Sequence, residues 1–161
     1  MDIELLHQLR RTKRNIWRNF LADAGLEPDE AVEQTALVWD GEQLIATGSR
    51  QGNLLKCLAV DNTHQGEGLL ATILTALRQE AFRAGQKHLF LYTKPENRFL
   101  FSQLLFHPVV KTRDVLLMES VRGGIREFLK FFPRSPASGP VGAAVMHCDP
   151  FTLGHRYLVE T

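Results

Sequence analysis

Strong charge of either sign is missing from this sequence. The 19 lysines and arginines nearly cancel the 18 aspartates and glutamates, leaving a net charge of +1. Bulk charge therefore makes no case for nucleic acid or a membrane surface. No apolar run is long enough to cross a bilayer. The start, Met1-Asp2-Ile3-Glu4-Leu5-Leu6-His7, lacks the basic opening and apolar stretch of a secretory signal. Cysteine is scarce, with Cys57 inside a strand pattern and Cys148 beside a turn. Two thiols so placed make neither a disulfide framework nor zinc-ligand spacing. A reducing, cytoplasmic setting fits best. What remains is a globular composition, 44% apolar and 23% charged over 161 residues. That length can bury one ordinary core.

The most informative stretch is Leu54 to Leu70. An apolar run ends at Val60, a short polar turn follows, and Gln65-Gly66-Glu67-Gly68 leads into a helical pattern. Leu70, Ile73, Leu74, Leu77 and Ala81 recur at spacings of three and four, which predicts a helix with one apolar face. The order is strand, glycine turn, helix. A helix start offers unpaired backbone N–H groups and partial positive charge. Glycines without a Cβ let an anion approach them. The turn reads as a pyrophosphate cradle or as an ordinary strand-to-helix connection; these residues alone leave both open. No Gly-Lys-Ser/Thr follows it, so it is not a Walker loop, and the third glycine of a dinucleotide fingerprint is missing.

Along the rest of the chain, Leu5, Leu6, Leu9, Ile16, Trp17, Phe20 and Leu21 predict a helix over about residues 3 to 24, ended by Gly25. Its outer face carries Arg10, Arg11, Lys13, Arg14 and Arg18. That face reads as a solvated basic surface or as a docking patch for an acidic partner. Thr35 to Trp39, Leu44 to Ser49 and Leu54 to Val60 read as strands, with a hairpin signal at Asp40-Gly41. Trp39 reads as a core filler. His88 to Thr93 predicts a short buried strand, and Glu96 to Phe106 a helix ended by His107-Pro108. Val109 to Lys111 and Val115 to Glu119 predict a last strand pair, and Ile125 to Phe131 a short helix. His88 and His107 have no evident partner in sequence and read as structural. Pro133 to Pro140 has no periodic pattern and reads as a linker. Val141 to Met146 predicts a new strand, followed by a turn and a helical start. Some 20 residues cannot bury a core of their own. The expectation is a second domain of which only the opening is present.

The run from Leu54 to Val110 resembles the acetyl-CoA-binding half of the GNAT acetyltransferases. Their loop is Gln/Arg-x-x-Gly-x-Gly/Ala; here Gln65-Gly66-Glu67-Gly68-Leu69-Leu70 stands in its place, with Leu70 where a small residue is usual. The resemblance implies that Val60, Gln65, Gly66, Glu67, Gly68, Leu69, Leu70 and Asn97 hold the cofactor. It also places a tyrosine general acid seven residues after the asparagine matched by Asn97. That position is Leu104, which donates no proton, and neither Tyr92 nor Tyr157 falls there. Val141 to Glu160 resembles the opening of the nucleotidyltransferase superfamily, whose signature is His-x-Gly-His or Thr-x-Gly-His. Here it reads Thr152-Leu153-Gly154-His155. The resemblance makes His155 and Thr152 catalytic, donating to phosphate oxygens of ATP as charge develops on pyrophosphate. His147, Pro150, Phe151, Thr152, Gly154 and His155 would bind the nucleotide, with His147 where asparagine is usual.

The order of the two motifs resembles the citrate lyase ligase family. The implied fold is α/β (α+β), with a GNAT-like mixed, mostly antiparallel central sheet flanked by helices over residues 1–132. A linker at 133–140 and the first strand and helix of a truncated Rossmann-like nucleotidyltransferase domain at 141–161 would follow. The implied reaction joins acetate and ATP into acetyl-AMP, releasing pyrophosphate. The acetyl group then passes to the thiol of a phosphoribosyl-dephospho-CoA arm on the acyl-carrier subunit of citrate lyase. Magnesium is expected with ATP, though no ligands for it are identifiable, and neither nucleic acid nor membrane is an expected partner. Two other readings stay open: a stand-alone GNAT enzyme moving acetyl from acetyl-CoA to an amine, and a non-catalytic module that binds the CoA-like arm.

Overall fold

The computed structural model describes residues 1–132 and 146–160. The chain divides into two units, Met1–Phe131 and Phe132–Thr161. The first holds strand β1 (Asp2–Leu6), helix α1 (Arg11–Asp23), and strands β2 (Gln34–Asp40), β3 (Gln43–Gln51) and β4 (Leu54–Val60). A 3₁₀ turn (Asn62–His64), helix α2 (Leu69–Arg83), strand β5 (Phe90–Thr93), a second 3₁₀ turn (Pro95–Asn97) and helix α3 (Arg98–Gln103) come next. Strands β6 (His107–Lys111) and β7 (Leu116–Glu119) and helix α4 (Gly124–Leu129) complete it. In the second unit, helix α5 spans Leu153–Glu160. The expected linker 133–140 and most of the expected strand from Val141 lie outside the described residues.

The strands form one sheet in the order β1-β2-β3-β4-β5-β7-β6. Only β4 and β5 run parallel; every other neighbouring pair is antiparallel. The sheet is therefore mixed and mostly antiparallel, as the resemblance implies. The parallel step needs a crossover, and α2 is that crossover. It buries Leu69, Ile73, Leu74, Leu77 and Ala81 against one face of the sheet, with Leu70 half-buried beside them. A fully buried Leu or Ile contributes about 1.5–3 kcal/mol, whereas a side-chain cap is worth about 1 kcal/mol. Packing therefore holds α2, although its start has no side-chain cap. The fit is close at Gly48 of β3. A Cβ there would lie 2.5 Å from Ile73 Cγ2 and 2.7 Å from Leu58 Cδ2. On the other face, α1 buries Trp17 and Leu21 against Leu37, Leu44 and Ala59.

The structure corrects two expectations. The stretch predicted as one helix over residues 3 to 24 begins as strand β1, and α1 starts only at Arg11. Leu5 packs with the α2-side core, while its neighbour Leu6 packs with the α1-side core. Adjacent side chains on opposite faces require a strand, and pairing with β2 supplies its partner. His107-Pro108 does not end a helix; α3 stops at Gln103, Leu105 turns at φ 63°, and His107 opens β6. Pro108 is tolerated because β6 is an edge strand. Trp39 is half-buried and packs on the α1-side core. His88 has a partner that sequence did not show: its Nε2 lies 2.8 Å from the buried Glu119.

Candidate functional site

The site begins where two parallel strands separate. Leu54 pairs with Phe90 and Leu55 with Leu91, and the β4–β5 ladder stops there. Strand β4 continues to Val60, so its outer half faces no β5 partner among the described residues. The cause is a bulge. Thr47 pairs with Ala59 and Ser49 with Lys56, so Cys57 and Leu58 together stand opposite Gly48. Cys57 takes φ 53°, a left-handed backbone rare for a residue with a Cβ. The extra residue bends β4 away from its neighbour. Unpaired strand amides are strong hydrogen-bonding groups, ready for a ligand that carries amides of its own. Burial pushes the half-buried Cys57 thiol above its ordinary pKa, so it stays protonated near neutrality.

Beyond Val60 the chain is tied down before the glycines. Asp61 N–H donates to Ile45 O at 2.8 Å, fastening the turn to β3. The Asp61 carboxylate accepts from Thr63 N–H at 2.8 Å and from the Thr63 hydroxyl. The hydroxyl first, then the backbone N–H, hold the Asp61 carboxyl below its ordinary pKa. Gln65 Nε2 donates back to Asn62 Oδ1 at 2.9 Å, which folds that side chain onto the turn.

Gly66 at φ 88° and Gly68 at φ 78° are both left-handed, and a Cβ on either would meet nothing within 4 Å. Among the described residues, nothing fills the space over the turn. The first bond of α2 is Thr72 N–H to Gly68 O at 3.1 Å. Among the described residues, no acceptor takes up the N–H groups from Gly66 to Leu70. They sit at the positive end of a fifteen-residue helix. Glu67 and Leu69 contribute backbone only: the Glu67 side chain is exposed and the Leu69 side chain is buried in the core. Val60 lines the end of β4, half-buried against the α2-side core. The predicted residues Val60 and Gln65 to Leu70 thus lie in one continuous segment running from the unpaired strand edge to the helix start.

Asn97 stands just beyond the end of β5, and its Nδ2 donates to Thr93 Oγ1 at 2.9 Å. Leu104 caps α3, packs against the core, and lends its carbonyl to Arg78 at 2.9 Å. No proton donor stands at that position.

In the second unit, Thr152 and His155 are brought together. Thr152 N–H donates to His155 Nδ1 at 3.1 Å, and the Thr152 hydroxyl lies 2.9 Å from the same nitrogen. A backbone N–H can only donate, so Nδ1 is the acceptor and the ring proton sits on Nε2. His155 N–H lies 3.5 Å from Thr152 Oγ1, so the hydroxyl accepts there and points its proton at the ring. The hydroxyl is therefore directed at His155, and His155 Nε2 is the donor left for a ligand. The Phe151 ring lies 5.7 Å from the imidazole. A Cβ on Gly154 would lie in ordinary contact with Thr152 Oγ1, at 3.7 Å. His147 is exposed, as is Pro150, whose bond from Asp149 is cis. Among the described residues, no three His, Cys, Asp or Glu side chains converge as a metal site.

Two features escaped the sequence reading. The Asp61-x-Thr63 turn carries a signal, since an aspartate two residues before a hydroxyl residue favours local capping. The Cys57 bulge carries none, because only its cross-strand register reveals it.

A family model described as the citrate lyase ligase C-terminal domain matches residues 141–161. The chain is 37% identical over 152 residues to a [citrate [pro-3S]-lyase] ligase of Klebsiella pneumoniae, covering 93% of this chain and 44% of that one. It is 33% identical over 151 residues to the ligase of the same name from Haemophilus influenzae, covering 92% and 45%. The chain thus spans less than half the length of these curated relatives. Among solved structures, Escherichia coli ElaA matches with a TM-score of 0.65 at 12% identity, over 74% of this chain and 99% of that one. An acyl-CoA N-acyltransferase from Pseudomonas aeruginosa matches at 0.63 and 12% identity, over 75% and 100%. A GNAT-family acetyltransferase from Staphylococcus aureus matches at 0.58 and 12% identity, over 73% and 98%. The chain is thus a sequence relative of the citrate lyase ligases, carried on a GNAT-like α/β fold.

Proposed function

We propose that this chain holds the CoA-like arm for a ligase that acetylates the acyl-carrier subunit of citrate lyase with ATP and acetate. Acetate oxygen attacks the α-phosphorus of ATP, and pyrophosphate leaves. The arm's thiol, once deprotonated, attacks the acetyl carbon of the resulting acetyl-AMP; the thioester forms and AMP leaves. The observation that carries the reading is the open glycine turn. Among the described residues, the N–H groups from Gly66 to Leu70 have no acceptor, stand at a helix start, and adjoin the unpaired edge of β4. A diphosphate at the turn and pantetheine amides along the edge would satisfy both. Leu104 supports the same division of labour, because a thiol acceptor and an AMP leaving group need no tyrosine acid there. Thr152 would orient His155, whose Nε2–H would meet triphosphate oxygens, with magnesium arriving on the nucleotide. The thiol chemistry suits a reducing, cytoplasmic setting.

Calorimetry with dephospho-CoA and CoA tests the reading. Binding of dephospho-CoA that is weakened in Gly66→Val, with no acetyl transfer from acetyl-CoA to an amine panel, supports it. Amine acetylation without ATP would instead favour the acetyl-CoA-dependent enzyme that the fold also accommodates. If neither compound binds, the arm-holding reading falls.

A further inference from the structure

The side of α1 away from Lys13 carries a basic depression. Arg11, Arg14 and Arg18, with Leu9 and Asn15, line a shallow concavity of about 530 Å³. Spacings of three and four residues place the arginines on one stripe. Arg14 and Arg18 share one carboxylate: Glu30 Oε1 lies 2.5 Å from Arg18 Nη2, while its Oε2 is 4.0 Å from Arg14 Nε. Among the described residues, no carboxylate pairs with Arg11. The first turn of α1 contains no acidic residue, and no side chain caps it. Cations therefore crowd the end of a helix that already bears positive partial charge, which costs the helix stability. One carboxylate offsets part of this.

The depression is also tied to β4, the strand that borders the cleft. Asp29, the residue before Glu30, meets Lys56 Nζ at 2.5 Å. Lys56 is the β4 residue just ahead of the Cys57 bulge. Val60 lies four positions further along the strand, at most about 13 Å away. The depression thus stands on the α1 side of the sheet, linked through Glu30, Asp29 and Lys56 to the strand that the arm would follow.

We propose that the Arg11–Arg14–Arg18 depression docks an acidic surface of the carrier subunit and so delivers the tethered arm to β4. This inference rests on the arm-holding reading above. The three cations are spread over about 10 Å of helix axis rather than converging on one point. Arg14 and Arg18 are 45% and 44% exposed. Spaced carboxylates on a protein face match that layout; a single small anion does not.

The test titrates citrate lyase acyl-carrier subunit, prepared with and without its prosthetic arm, into the full chain at low and high salt. The arm-free carrier should bind at low salt and weaken as salt rises. The double variant Arg11→Glu/Arg14→Glu should bind it about tenfold more weakly, chiefly through a slower on-rate. Its thermal midpoint should stay about level, because carboxylates at a helix start offset the lost Arg14–Glu30 attraction, so lost binding cannot be blamed on unfolding. Carrier binding that ignores the charge reversal, or that requires the arm, overturns the proposal. So does competition by inorganic phosphate beyond its ionic-strength effect. Free dephospho-CoA reports on the arm site separately: if it fails to bind while arm-free carrier binds through the arginines, the docking surface stands and the arm-holding reading falls.

Discussion

Thr152 N–H donates to His155 Nδ1 at 3.1 Å, and a backbone donor cannot reverse its role. The pair is therefore ordered: under the proposed function Thr152 would position the ring and His155 would donate to the nucleotide. If the proposed ligase activity holds, His155→Asn should lower pyrophosphate release from ATP and acetate by about 10²–10³-fold, the usual loss for one transition-state donor. Thr152→Val removes only the orienting hydroxyl and should cost less. Equal losses would show that Thr152 meets the nucleotide directly. A second residue-scale consequence concerns Cys57. Burial raises its thiol pKa, and the thiolate is the reactive form. Near neutral pH, iodoacetamide should modify Cys57 more slowly than the same cysteine in the urea-unfolded chain, as peptide mass spectrometry would show. Equal rates would contradict the assignment.

Elements meet in this fold where glycine allows them to. Gly48 lets α2 lie on the sheet, and a Cβ there would sit 2.5 Å from Ile73 Cγ2. Gly48→Ala should cost about 1–3 kcal/mol by overpacking, read from urea unfolding. Gly68 has open space around it and a φ of 78° instead. Gly68→Ala should cost about 1–2 kcal/mol for the left-handed backbone and should also weaken dephospho-CoA binding, because the turn would re-form. The two variants separate packing from ligand contact. Equal binding loss in both would mean that the helix, and not the turn, governs the site.

The molecule as a whole should weaken in acid through two carboxylates. The Lys56 ammonium first, then the Ala31 N–H, hold Asp29 below its ordinary pKa. The Thr63 hydroxyl first, then the Thr63 N–H, do the same for Asp61. A carboxyl whose folded pKa lies below its unfolded one binds fewer protons when folded. Its contribution is complete above the unfolded value, about 3.9, and fades as pH falls through the folded values. The urea midpoint should therefore drop below about pH 4. Asp61→Asn, which keeps the turn-capping geometry, should flatten part of that drop. An unchanged acid limb in Asp61→Asn would remove Asp61 from the account.

Local pattern determined much of this protein. The strands from Thr35 to Val60, the amphipathic α2 and the glycine turn were readable, because alternation, helical spacing and left-handed glycines are properties of neighbouring residues. The open turn from Gly66 to Leu70 and the pairing of Thr152 with His155 likewise arise within short segments. Tertiary structure decided the rest. Leu5 and Leu6 became a strand because two cores on opposite faces of the sheet each claimed one of them. The Cys57 bulge, and with it the opening between β4 and β5, exists only as a register mismatch with β3. Glu119 found His88, and Asp29 found Lys56, across gaps of 31 and 27 residues. Spacing along a chain cannot encode such meetings; they arise when the sheet closes and buried charges must find partners.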